Sequence, residues 1–460
     1  MLTRTCATFG SEEEPDGEVN LNATVGEGNS CAARGKANCR ADATEIAAGG
    51  EPAAGRVNNG EQAGVDKSNY SDRHSDGLRS GKSRPAQGIA TRALAAQNNA
   101  HDNEPQELLV IRPICEMLGR ISRMEQVLGD CLLKLESEGI KVTLVEKISE
   151  LDDIPMPGKR VIFAICLSDA GVNLEYYRLL QAFRMHPHCL DGAVGGIIVD
   201  GASDLYTKAL ARRMAFSANW AGCTFPGKPL VEATGSLDNF QVLSQLNRKS
   251  TRETYAIQVE KLLRKVLDFR FPQPDGPLRI AAIHSSSRKT SNTLLLWDMI
   301  RQNLPSNVRI QEISLRNGAV QDCRGCAFEA CKHFGERGEC FYGGIITEQV
   351  FPAILESDAL MVISPNYNDA LSANLTAMVN RMTALFRSHD FSHKRIYSLV
   401  VSGYSGGDIV AEQILGAFNF NKNFILPSRF AIVETANDPG AIAKVPGIEE
   451  KARAFAARMW

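Results

Sequence analysis

Three short stretches in the C-terminal part of the chain hold the residues best suited to chemistry, and each follows an apolar run. The first is Ser285-Ser286-Ser287-Arg288-Lys289-Thr290-Ser291-Asn292-Thr293, rich in hydroxyls and doubly basic. Leu295 and Met299, then Leu296 and Ile300, follow it at helical spacing as far as Pro305. The stretch reads as a loop on a helix N-terminus, where free backbone N–H groups, the positive end of the helix dipole and side-chain donors suit an anion. The plainer reading is a solvated loop with Ser or Asn as N-cap. The second stretch is Ser364-Pro365-Asn366-Tyr367-Asn368-Asp369. Pro365 fixes a turn, Tyr367 offers a flat ring, and Asn366 and Asn368 offer amide donors and acceptors. The third is Ser402-Gly403-Tyr404-Ser405-Gly406-Gly407-Asp408, whose glycines let the backbone approach a ligand closely. Loops that follow successive strands of one parallel sheet meet at one edge, so together these three point to a ligand site.

Cysteines form a second constellation. Of the 12, Cys323, Cys326, Cys331 and Cys340 cluster with the spacing C-x2-C-x4-C-x8-C. Four thiolates on one irregular loop suit a four-iron cluster or zinc, and free or redox-active thiols are the third reading. His333 lies inside this loop, as an alternative ligand or as a solvated side chain. Cys115, Cys131, Cys166, Cys189 and Cys223 are scattered in apolar or helical settings and read as reduced thiols.

These loops need a sheet to position them. Over 271–460, strands are expected at 280–284, 308–314, 359–364, 395–401 and 429–434, alternating with helices at 292–303, 347–356, 371–386, 408–418 and 447–459. That is a flavodoxin-like, doubly wound, parallel five-stranded α/β sheet. Over 106–270 the rhythm is nearly the same. Strands are expected at 108–111, 140–145, 160–167, 195–199 and 229–233, with helices at 124–138, 174–185 and 206–220 and a long charged helical region at 239–269. This implies a second, diverged α/β domain and a tandem duplication, joined through Phe271-Pro272-Gln273-Pro274-Asp275-Gly276-Pro277. Residues 1–105 read as a disordered tail, polar and small with almost no aromatics.

Composition limits the classes of function. Hydrophobic residues make up 44% and charged residues 23% of the 460, with a net charge of -2, so neither nucleic acid nor a membrane is the expected partner. No apolar run approaches the ~20 residues that span a bilayer. The early acids Glu12, Glu13, Glu14 and Asp16 argue against an organelle transit peptide, and with no secretory apolar core at the start a reducing, cytoplasmic setting is expected.

With these residues in view, the chain from about 277 onward resembles the NADPH-dependent FMN reductase family, including its iron–sulfur flavoprotein branch. That family opens on a loop of the form G-S-P-R-K-G-G-N-T, matched by Ser286, Arg288, Lys289, Asn292 and Thr293, with Ser285, Ser287, Thr290 and Ser291 in place of Gly and Pro. The family's S-P-x-Y loop is matched by Ser364-Pro365-Asn366-Tyr367, its helix-ending Asp-Arg pair by Asn380-Arg381, and its third loop only in its glycines. The resemblance implies FMN, with its phosphate in the first loop and its isoalloxazine beside the second. It also implies NAD(P)H as donor, a small-molecule or redox-protein electron acceptor, a homo-oligomer, and an iron–sulfur cluster on the four cysteines. The expected activity is an NAD(P)H-dependent flavin- or quinone-type reductase, with no side chain needed as general acid or base. The competing readings are a flavin and iron–sulfur electron carrier without its own small-molecule substrate, and a non-redox scaffold with a zinc-stabilised loop. In the first α/β unit, neither Arg112-Pro113-Ile114-Cys115-Glu116-Met117 nor Ser168-Asp169-Ala170-Gly171 resembles a flavin loop. That unit reads as a degenerate relative used for packing, dimerisation or shaping the site.

Overall fold

The computed structural model describes residues 107–115, 122–316 and 320–459, so the tail expected over 1–105 lies outside them. In the first half, β1 (Glu107–Ile111), β2 (Lys141–Val145), β3 (Arg160–Cys166), β4 (Val194–Asp200) and β5 (Leu230–Ala233) form a parallel sheet in the order β2-β1-β3-β4-β5. Its helices are α1 (Arg123–Ser137), α2 (Leu174–Met185), α3 (Thr207–Trp220), α4 (Gln241–Asn247) and α5 (Thr251–Asp268). In the second half, β6 (Arg279–His284), β7 (Arg309–Ser314), β8 (Ala359–Pro365), β9 (Arg395–Ser402) and β10 (Ala431–Thr435) form a parallel sheet in the order β10-β9-β8-β6-β7. Its helices are α6 (Asn292–Gln302), α7 (Phe328–Gly335), α8 (Phe351–Glu356), α9 (Ala373–Arg381), α10 (Thr383–Phe386), α11 (Gly407–Leu415) and α12 (Ile448–Met459). Counted from each half's first strand, both sheets run 2-1-3-4-5, the flavodoxin-like order.

Apolar strands buried on both faces separate three layers of core. Successive residues point to opposite faces. Leu108 and Val110 of β1 join Leu128 of α1 and Leu263 of α5, whereas Leu109 and Ile111 face Leu179 of α2. Likewise Met361 and Ile363 of β8 meet Trp297 of α6 and Phe455 of α12, and Leu360 and Val362 face the other way. That second layer is common to both sheets: Met214 and Ala218 of α3 and Ile414 of α11 belong to one apolar cluster.

Local conformation accounts for the departures from the expected elements. The helical region at 239–269 is broken at Arg248, which is left-handed (φ 53°), and Ser250 restarts it with a capping box to Glu253. Arg429 is also left-handed (φ 49°), so the last strand begins at Ala431. Ser372 caps α9, which therefore starts two residues later than expected. The short helix α7 inside the cysteine loop has no counterpart among the expected elements. Among the described residues no helix is long and apolar enough to cross a membrane.

One buried cation yields a pH test. Lys394, at the entrance to β9, donates from Nζ to the carbonyls of Leu355 and Ser357, and burial pushes its ammonium down to about 8. Between about 8 and the ordinary 10.5 the unfolded chain binds the extra proton, so stability rises with pH across that window. Thermal unfolding of the native chain against Lys394→Met should show the native chain gaining over that window. A pH-independent difference would contradict the burial.

Candidate functional site

The loop after β6 turns tightly before α6. Thr290 N and Ser291 N donate to Ser287 O at 3.3 and 3.0 Å, and Ser291 caps α6 by accepting from Leu294 N at 3.2 Å. The N–H groups of Ser287, Arg288 and Lys289, and those of Asn292 and Thr293 at the helix start, have no acceptor among the described residues. Ser286 is 6% exposed, and its hydroxyl is buried without a partner among them. Such a hydroxyl beside five open amides forms a concentrated set of donors, which is what an anion requires. Thr293 is buried as well, and Lys289 is exposed and, among the described residues, in no ion pair.

The Ser285, Arg288, Ser291 and Asn292 side chains of the loop have structural partners. Asn292 donates from Nδ2 to Ala436 O and Asp438 O at 3.0 and 2.8 Å and accepts from Ile442 N at 3.3 Å, clasping α6 to the loop after β10. Arg288 pairs with Glu312 and Asp298. Glu312 of β7 also receives Trp297 Nε1 at 3.1 Å and Arg301 Nη1 at 3.2 Å. It stands 3.4 Å from His284 Nε2 as well. His284 is buried and accepts at Nδ1 from Ser286 N at 3.3 Å, and burial lowers its pKa, which keeps that acceptor neutral. The sequence left His284, Glu312 and Ser372 unread. The available signal was a histidine closing a buried apolar strand.

The three loops are tied together. Ser285 Oγ lies 2.5 Å from Ser372 Oγ, joining the first loop to the second. Tyr367 and Ala370 exchange backbone hydrogen bonds at 3.2 and 3.1 Å around Asn368 and Asp369, both at positive φ (51° and 57°), as in a type I′ turn. That turn leaves the Tyr367 ring exposed. Asn366 Nδ2 reaches Ser402 Oγ (3.0 Å) and Ser405 O (2.7 Å), joining the second loop to the third. Its Oδ1 is buried without a partner. Gln413 of α11 receives Leu371 N at 3.1 Å and donates to Asp369 O at 2.9 Å. Gly403 lies against Asn437, Gly407 against Val433, and Gly406 opens α11 at φ 79°. Ser364 is fully buried, its hydroxyl turned to Pro365 O.

Cys323, Cys326, Cys331 and Cys340 line one cavity of about 350 Å³, walled by Phe334, Phe341 and α9. Asn380 Nδ2 donates to Asp322 Oδ1 at 2.9 Å and Arg381 Nη2 to Gly343 O at 2.9 Å, so the Asn-Arg pair holds this loop. His333 is exposed and stacks edge-on with Phe334. Among the described residues no group of three or more His, Cys, Asp or Glu is arranged to hold a metal ion.

Residues 278–438 match the model of the NADPH-dependent FMN reductase family. The matched segment runs from the threshold of β6 past the end of β10 and takes in all three loops and the four cysteines. The family resemblance and its oxidoreductase class stand at that level. The match does not reach the iron–sulfur branch. No curated protein matches the chain. Among solved structures it is similar to the Trp repressor binding protein from Bacillus subtilis (17% identity, 38% of this chain, 96% of that one, TM-score 0.26). It is also similar to an FMN-dependent NADH-azoreductase from Bacillus anthracis in complex with FMN (11%, 39%, 99%, 0.27). A third similarity is to an NAD(P)H:quinone oxidoreductase from Methanothermobacter marburgensis (12%, 40%, 96%, 0.31).

The join between the second and third loops makes a prediction. A Cβ at Gly406 would lie 1.8 Å from Asp369 Oδ1, on a backbone that disfavours side chains. Gly406→Ala should cost roughly 1–3 kcal/mol in urea unfolding. A stability within about 0.3 kcal/mol of the native chain would mean that the two loops are not held at this distance.

Proposed function

We propose that the half from 271 to 460 is an FMN-dependent oxidoreductase reduced by NAD(P)H, with the flavin phosphate on the loop after β6 and the ring beside Ser364–Tyr367. One observation carries the reading: the buried, unpartnered Ser286 hydroxyl beside the open N–H groups of Ser287, Arg288, Lys289, Asn292 and Thr293. Bound FMN supplies the redox chemistry, and the chain supplies anchoring and orientation. Ser286 Oγ and those amides donate to the phosphate, and Lys289 adds an exposed positive charge. Arg288 acts as a positioning residue, because Glu312 and Asp298 already neutralise it. Tyr367 presents its exposed ring to the isoalloxazine, and Asn366 holds Ser364-Pro365 against the Gly403–Gly407 loop. No side chain is assigned as general acid or base. The electron acceptor in this reading is a small molecule or a redox protein, and the setting is cytoplasmic.

The four-cysteine loop admits a finer reading, in which Cys323, Cys326, Cys331 and Cys340 would hold an iron–sulfur cluster able to exchange electrons, although they are not drawn together as a metal site in this structure. What favours it is that the four cysteines line one cavity next to α9, the helix that follows the ring-side loop. Iron content of anaerobically purified protein tests it: about four irons per chain are expected, and an iron-free protein would reduce the loop to zinc or thiol chemistry.

Removal of the Ser286 hydroxyl separates ligand binding from folding. Ser286→Ala should raise the FMN dissociation constant about tenfold, ~1.4 kcal/mol, with the Tm of the flavin-free protein unchanged or higher, because no protein partner is lost. Arg288→Ala should act less on affinity. Unaltered FMN affinity in Ser286→Ala would place the phosphate elsewhere.

A further inference from the structure

The two halves meet through contacts that come in reciprocal pairs. Phe225 N donates to Leu426 O, and Leu426 N donates to Phe225 O, both at 2.9 Å in an antiparallel bridge. Asn219 Nδ2 donates to Pro427 O (2.7 Å), and Asn419 Nδ2 donates to Pro226 O (3.0 Å). Arg429 N donates to Asn219 O (3.0 Å), and Lys228 N donates to Asn419 O (2.9 Å). Lys228 and Arg429 share the same left-handed backbone, φ 50° and 49°. The surrounding hydrogen bonds also repeat. Gly195 N to Thr224 O becomes Ile396 N to Ile425 O, and Ile197 N to Pro229 O becomes Ser398 N to Phe430 O, each 201 residues further on. The helices that follow open alike, on Tyr206 (φ 73°) and Gly406 (φ 79°).

Reciprocal contact of equivalent residues is the mark of an isologous, two-fold interface between identical copies. Here it lies within one chain. One break in the backbone pattern has a chemical cause. Phe430 N donates to Asn219 Oδ1 at 3.1 Å, but its equivalent is Pro229, which has no N–H, and Asn419 Oδ1 is left buried and unpartnered.

We infer that the first half is a built-in partner subunit, which occupies on the second half the face that would otherwise pair with another copy. Charge makes the pairing specific. Glu412 of α11 is 4% exposed and lies 2.8 Å from Arg213 and 3.7 Å from Arg212. Arg212 is the position in α3 that corresponds to Glu412, so self-pairing of the second half would oppose two buried Glu412 carboxylates, and self-pairing of the first would oppose arginines. The first half keeps the pairing face but caps its helix differently. Glu125 at the start of α1 turns its carboxylate onto Ser122 N at 3.0 Å, completing a capping box, whereas at α6 the N-cap Ser291 N donates to Ser287 O.

The test uses the full chain with a protease recognition sequence inserted between the exposed Asp275 and Gly276. After cleavage of the folded protein, the two pieces should elute together at the mass of one chain by size exclusion with light scattering. In the Glu412→Lys variant, checked for native circular dichroism before cutting, the pieces should separate. Separation of the unsubstituted pieces, self-pairing of the C-terminal piece, or undiminished pairing in Glu412→Lys would each overturn the inference. If Glu412→Lys does not fold, the unsubstituted cleaved protein decides alone. None of these readouts depends on flavin, so they stand or fall apart from the proposed redox activity.

Discussion

A parallel sheet covered by helices on both faces has no polar surface except at its ends, and much of this molecule follows from that constraint. β6, β8 and β9 carry nearly unbroken apolar runs, so the polar residues of that sheet collect in the turns after them. Those turns then need partners of their own, because buried polar groups are costly unpaired. They find them mainly in one another: Ser285 with Ser372, and Asn366 with Ser402 and Ser405. Among the described residues, Ser286 Oγ, Asn366 Oδ1 and the amides at the start of α6 stay without such partners, and the proposed flavin phosphate would take up the donors among them.

The fold was legible because its strands are buried on both faces and its helices are amphipathic, so period and punctuation marked every strand of both sheets within a few residues. Breaks made by left-handed residues, as at Arg248 and Arg429, escaped notice because arginine gives no sign of that conformation. At the site, the loops were readable but the long-range partners of their side chains were not. Asn292 also clasps α6 to the loop after β10, and Arg288 is also paired with Glu312. Both functions depend on residues far away in sequence, the turn after β10 and the strand β7. The four cysteines could be grouped from their spacing, but the walls of their cavity come from α7 and α9.

The likeness of the two halves was visible only as rhythm, since most equivalent residues differ: Phe225 against Leu426, Lys228 against Arg429, Arg212 against Glu412, with Asn219/Asn419 and Pro226/Pro427 kept. What the halves share is backbone, in strand order, in the positive φ angles and in the hydrogen bonds around Asn219 and Asn419. Side chains differ most tellingly at the seam, where Arg212 and Arg213 face Glu412. The outcome is an asymmetric pair, in which α1 opens on a full capping box and α6 on the Ser291 cap alone.

The most direct test of the central claim is the absorbance spectrum of the full chain purified and loaded with FMN, recorded anaerobically before and after NADPH. The account predicts flavin bands at one FMN per chain that bleach on reduction. A protein that takes up no FMN, or binds two per chain, would contradict the assignment of a single flavin site to the loop after β6.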